Sequence, residues 1–148
     1  MQKQKIKELT SKLKQDKIEK TLVGVVIFNN EDEVLLLKRD ADDFMNALLE
    51  LPGGEVVDND IMHSLVSEVK DKTNLNVISV DEILPEFDYT SGSGKKTRQL
   101  NFVVTVANYD IKINNEDYQT YMWHKVDAFL DDLNISKETR DVIYATTK

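Results

Sequence analysis

Apolar residues recur along the chain with periods that change from segment to segment. In residues 2–20, rich in Lys, Gln and Glu, Ile6, Leu9 and Leu13 fall at helical spacing, which predicts one charged helix with a thin apolar stripe. Two turns of stripe are too few for a coiled coil, so this helix is expected to lie on the domain surface rather than to dimerise. Residues 21–28, TLVGVVIF, are dense in β-branched side chains and read as a buried strand. Residues 29–32 make a polar turn, and residues 33–38, EVLLLK, return as the partner strand. Beyond Arg39 a loop runs through Asp40, Asp42 and Phe44 to a short strand at residues 48–51.

The centre of the chain, residues 51–75, reads LPGGEVVDNDIMHSLVSEVKDKTNL. Pro52-Gly53-Gly54 predicts a turn whose glycines can take positive φ and let backbone approach a ligand closely. An acidic loop with Glu55, Asp58 and Asp60 follows, with Asp60 suited to cap a helix. Ile61, Leu65 and Val69 then recur every four residues, with Met62 and Val66 widening the stripe, and the opposite face carries Asp60, Ser64, Ser67, Glu68 and Asp71. In the second half, residues 76–84 read as a strand ending at Pro85, with residues 86–89 extended and residues 91–96 a flexible basic hairpin loop. Residues 98–107 form the strongest strand pattern, residues 110–113 a short alternating one, and residues 121–126 a further strand holding Trp123. Residues 127–133 and 136–146 read as closing helices, the latter capped by Ser136 with Glu138 in its first turn. Hairpin, helix, strands and helices in this order imply an α/β fold with a mixed central sheet and helices on its faces.

Composition narrows the partners. A chain of 148 residues suffices for one domain with a substantial core. The absence of Cys excludes disulfides, thiolate metal sites and a cysteine nucleophile. A formal net charge of -8 argues against a nucleic-acid polymer as main partner. A single nucleotide carried in with its Mg²⁺ is compatible with that charge. No apolar run is long enough to span a membrane, no signal peptide is evident, and a cytoplasmic protein is expected by default.

Glu68 and Asp71 stand three residues apart, one helical turn, so both carboxylates project the same way. With the glycines and the acidic loop they suit a hard divalent cation such as Mg²⁺, which is usually held by one or two carboxylates plus substrate phosphates. The stretch resembles the signature of the Nudix hydrolases: a Gly, five residues, Glu, seven residues, Arg-Glu, an aliphatic residue, any residue, Glu-Glu, any residue, Gly, and an aliphatic residue. Gly54 fits the first Gly, and Asp60 stands in for the first Glu. One residue fewer then leads to Ser67 at the Arg place. Glu68 fits the central Glu and Val69 the aliphatic position, while Asp71 replaces the first Glu of the pair. Lys72 replaces the second Glu and reverses its charge; Asn74, which readily turns left-handed and can end the helix, replaces the last Gly, and Leu75 fits the end.

The resemblance implies the Nudix α/β/α sandwich over residues 21–148, preceded by the charged helix of residues 1–20. It implies a pyrophosphohydrolase using Mg²⁺ (or Mn²⁺) on a nucleoside diphosphate linked to another group, working as a monomer or homodimer. Gly54, Glu68 and Asp71 are the expected metal-site residues. Glu68 and Asp117 are the expected catalytic residues, with Glu116 as second choice for the base. Arg39, Gly53, Gly54, Lys72 and Arg98 are the expected contacts to the diphosphate, and Phe87, Tyr89, Tyr121 and Trp123 could stack on a base. His63 and His124 have no assigned role. Lys72 favours an alternative, a Nudix-fold module that binds a nucleotide or a protein without cleaving it. An isomerase of the same fold relies on a Cys that this chain lacks.

Overall fold

The computed structural model describes residues 2–39, 48–113, 118–127, 130–131 and 133–146. The element order is α1 (Gln2–Gln15), β1 (Lys20–Val26), β2 (Glu33–Arg39), β3 (Leu49–Glu50), β4 (Gly53–Glu55), α2 (Ile61–Thr73), β5 (Val77–Thr90), β6 (Lys96–Val106), β7 (Tyr118–Lys125) and α3 (Lys137–Tyr144). The loop through Asp40, Asp42 and Phe44, and both Glu116 and Asp117, lie outside the described residues.

The strands form a four-stranded sheet in the order β4-β1-β6-β5 and a three-stranded sheet in the order β3-β2-β7. The first is mixed, because β1 runs parallel to β6 and antiparallel to β4. β1 and β2 were expected to pair as a hairpin; instead they belong to different sheets, and the chain pairs across the turn just after β1, through the bridge Phe28↔Val34 and the bonds from the Leu35 N–H to the Ile27 carbonyl and from the Asn29 N–H to the Glu33 carbonyl. Both strands are buried on both faces, so each takes a central place with neighbours on either side.

Alternation along the central strands sorts the core into two layers. Val23, Val25, Leu35 and Leu37 pack with Ile61, Leu65 and Val69 of α2 and Leu13 of α1. Val26, Val34 and Leu36 face the other way, against Val142 and Ile143 of α3. Helices thus cover both faces of the sheets, the expected α/β/α sandwich. The stripe of α1 is spent inside its own chain: Leu13 is buried, and Ile6 and Leu9 pack against the same cluster. Among the described residues no helix is long and apolar enough to cross a membrane.

Two departures have local causes. β5 continues through Pro85, because it is an edge strand and its register shifts between Leu84 and Phe87, so the missing N–H costs no regular ladder bond. The residues expected to form a short strand at 110–113 carry none over 111–113, and Asp110 lies in the preceding loop. Of the helix expected over 127–133, the described residues hold a single 3₁₀ turn at Leu130 and Asp131.

Candidate active site

The floor of the site is α2 laid against β4. Asp60 caps α2 as expected, its Oδ1 accepting from the His63 N–H at 3.1 Å. Asn74 ends it in the left-handed region at φ 70°. Between the caps Ile61, Leu65 and Val69 are buried as expected, but the flank of the stripe differs. Val66 is exposed, whereas Ser64 and Thr73 are buried. Both hydroxyls are satisfied locally: Ser64 Oγ accepts from the Val57 N–H, and Thr73 Oγ1 donates to the Val69 carbonyl. A buried hydroxyl with a backbone partner escapes the desolvation cost that would otherwise send it to solvent.

Glu68 lies on this helix beside β4, against Gly54. The two glycines are strand residues rather than a turn: Gly54 pairs with Val23 and Gly53 with Gly24 of β1. The reason for Gly54 is therefore not positive φ. A Cβ built there would lie 1.9 Å from Glu68 Oε1. Gly53 takes the expected positive φ, at 158°, and its Cβ would lie 1.9 Å from the Val23 carbonyl oxygen. One glycine admits a carboxylate and the other admits the neighbouring strand.

Glu68 does not stand alone there. Lys72 Nζ donates to Glu68 Oε1 at 2.8 Å and lies 3.8 Å from Asp71 Oδ2. The Lys72 side chain is only 14% exposed. The i,i+4 spacing of Glu68 and Lys72 is the sequence signal that could have found this pair.

A cleft of about 810 Å³ opens beside this floor, bordered by Gly53, Gly54 and Lys72, by Arg39 and Glu50, and by Phe87, Tyr89 and Tyr118. Arg39 is held by a 2.9 Å bond from its Nε to Glu50 Oε2 and by the Tyr118 ring, 5.5 Å from the guanidinium carbon. The Tyr118 hydroxyl donates to Glu50 Oε1 at 3.1 Å. Glu50 and Tyr118 were not anticipated. Glu50 lies between two leucines of a short strand, and only the tertiary fold brings Tyr118 to it. Phe87 and Tyr89, which also line the cleft, stand 6.1 Å apart, centroid to centroid. Burial pushes the Tyr89 hydroxyl up, and the charge of Glu50 adds to that.

Three expected residues have other employment. Trp123 packs edge-on against Tyr109 and joins the α1/α2 core layer, and Tyr121 is exposed outside the cleft lining. Arg98 is buried away from the cleft lining with three carboxylates around it. Its Nε and Nη2 donate to Asp88 at 2.7 and 2.9 Å, its Nη1 lies 2.9 Å from Asp16, and its Nε lies 3.1 Å from Glu86. The Asp88 hydrogen bonds, with Asp16 and Glu86 adding, raise Arg98 above its ordinary range, and Arg98 in turn holds Asp88 below the usual carboxylate range. A guanidinium ringed by three carboxylates and outside the cleft lining is not placed to meet phosphate there.

A family model for the NUDIX domain matches residues 19–145. No curated protein matches the chain significantly. Among solved structures, the chain is similar to a MutT protein from Methanosarcina mazei Go1, at 24% identity and a TM-score of 0.72 over 84% of this chain and 90% of that one. It is similar to the NUDIX domain of Shewanella oneidensis NrtR, a structure complexed with ADP ribose, at 15% identity and a TM-score of 0.68 over 86% and 85%. A C. elegans Ap4A hydrolase shares 19% identity at a TM-score of 0.67 over 86% and 95%. The order of elements, the α2–β4 floor and the family match across nearly the whole fold agree: the chain belongs to the NUDIX domain family.

Proposed function

We propose that this chain is a Nudix-type pyrophosphohydrolase whose cleft takes a nucleoside diphosphate linked to another group. The observation that carries the reading is the convergence, in one cleft, of cations and aromatic rings. Lys72, Arg39, Phe87 and Tyr89 all line it. Phosphates suit the cations, and a base or ring suits the aromatic side chains. The family membership supports a hydrolytic role, and the ligand named with the NrtR domain supports the substrate class. In the reaction, water attacks one phosphorus, the bond from that phosphorus to the bridging oxygen breaks, and Glu68 receives the proton of the water. Asp117 remains the other candidate for the base, from outside the described residues.

Mg²⁺ is the cofactor the family implies. The donors, as arranged, do not fit it: the Lys72 ammonium already bridges Glu68 and Asp71, and among the described residues no group of three or more His, Cys, Asp or Glu comes together. The same Glu68–Lys72 pair favours a second reading, a NUDIX module that binds the ligand without cleaving it. The test incubates the purified chain with ADP-ribose, dinucleoside polyphosphates and nucleoside triphosphates, with and without Mg²⁺ or Mn²⁺, and separates the products by chromatography. Product from one class supports hydrolysis. Saturable binding with no product in any buffer overturns it in favour of the binding module.

A further inference from the structure

We propose that the Lys72 ammonium is a built-in replacement for a divalent cation, so that the cleft takes its diphosphate without metal. The inference rests on the diphosphate reading above and deepens it. It begins with position: Lys72 Nζ lies 2.8 Å from Glu68 and 3.8 Å from Asp71, between the two carboxylates that a cation would bridge. Exposure supports it. Lysine normally carries its ammonium into water, as Lys137 does in its own i,i+4 pair with Asp141, where the side chains are 76% and 59% exposed. Lys72, at 14% exposed, stays at the cleft floor instead.

Charge completes the argument. Replacing an acid by Lys changes the local charge by two, the charge of one Mg²⁺. Three carboxylates holding one divalent ion carry a net single negative charge. Glu68, Asp71 and Lys72 carry the same charge with no ion. A divalent ion entering beside Glu68 would meet a fixed ammonium at contact range and be repelled. The fit of Glu68 over Gly54 limits its retreat on the other side. The site thus presents the electrostatics of a metal-loaded floor permanently, independent of metal supply.

Two titrations on the full chain test this, with thermal melts confirming that each variant is folded. Mn²⁺ alone, followed by calorimetry and by water-proton relaxation, is expected to find no site in the native chain. Lys72→Glu, which places acids at 68, 71 and 72, is expected to gain one. ADP-ribose is expected to bind within about twofold equally in EDTA and in Mg²⁺, and Lys72→Met to weaken it about tenfold. Mn²⁺ binding by the native chain that Glu68→Gln abolishes would overturn the inference. So would an ADP-ribose affinity that rises more than about tenfold on adding Mg²⁺. If ADP-ribose binds in neither buffer while the Mn²⁺ results hold, the built-in cation stands and the diphosphate reading falls.

Discussion

Replacing Gly53 or Gly54 with alanine adds the same single carbon, and the structure predicts two different failures. At Gly53 the new Cβ would lie 1.9 Å from the Val23 carbonyl oxygen and 2.8 Å from its carbon. Both obstacles are backbone of β1, which is fixed between β4 and β6. Relief requires β4 to move away from β1, with loss of pairs such as Gly54 with Val23. Overpacking of this kind costs about 3 kcal/mol. For a chain of this size that lowers Tm by roughly 6–12 °C. At Gly54 the obstacle is the Glu68 side chain, with Oε1 at 1.9 Å and Cγ at 2.8 Å. A side chain can rotate away, so the fold survives with the Glu68–Lys72 bond broken, a partly exposed i,i+4 pair worth about 0.5 kcal/mol. Gly54→Ala should melt within about 2 °C of the native chain while losing ligand binding or turnover. Thermal and guanidinium melts of both variants, paired with calorimetry, make the comparison. A Gly53→Ala protein as stable as the native chain, or a Gly54→Ala protein that falls equally far, would refute the assignment of one glycine to the fold and the other to the site.

Glu68→Gln should leave Tm nearly unchanged and lower any hydrolysis by about 10²–10⁴-fold, measured by product chromatography; unchanged turnover would remove Glu68 from the chemistry. Phe87→Ala should weaken a nucleotide ligand by roughly 1–2 kcal/mol in calorimetry while sparing inorganic diphosphate, because only a base or ring can stack there. Arg98→Met should cost roughly 2 kcal/mol in a guanidinium melt, since it strands carboxylates around a buried position. The pH dependence follows from Asp88, whose folded pKa is depressed by Arg98. Its stabilising effect is present above the unfolded carboxylate value of about 4 and is lost as pH falls through the folded value. Melts taken from pH 6 downward should show that acid loss in the native chain and a shallower one in Arg98→Met.

What could be read beforehand was what neighbouring residues decide among themselves. Asp60 and Asn74 bound α2, and Ser136 caps α3, because a cap involves only the three or four residues beside it. The buried strands were legible from their density of β-branched and aliphatic side chains. Choice of partner was not legible: β1 bonds to β6 rather than to the strand that follows it, and no local signal specifies a parallel neighbour so far along the chain. Ser64 looked like a surface residue because its backbone partner forms only in the finished helix and loop. Arg98 looked available for phosphate because Asp16, Glu86 and Asp88 surround it only after α1 and β5 have docked. The cleft followed the same division. Glu68, Lys72 and the glycines could be picked out as candidates, whereas Glu50 and Tyr118 acquire their places from the pairing of β2 with β3 and β7.

The docking of α1 bears on where this protein can be cut. The matched family region starts at residue 19, after Leu13 has entered the main core and Asp16 has closed the ring around Arg98. A piece trimmed to that region would open a void in that core and leave a buried guanidinium short of a counter-ion. The segment matched by the family and the segment packed into one core therefore begin at different residues.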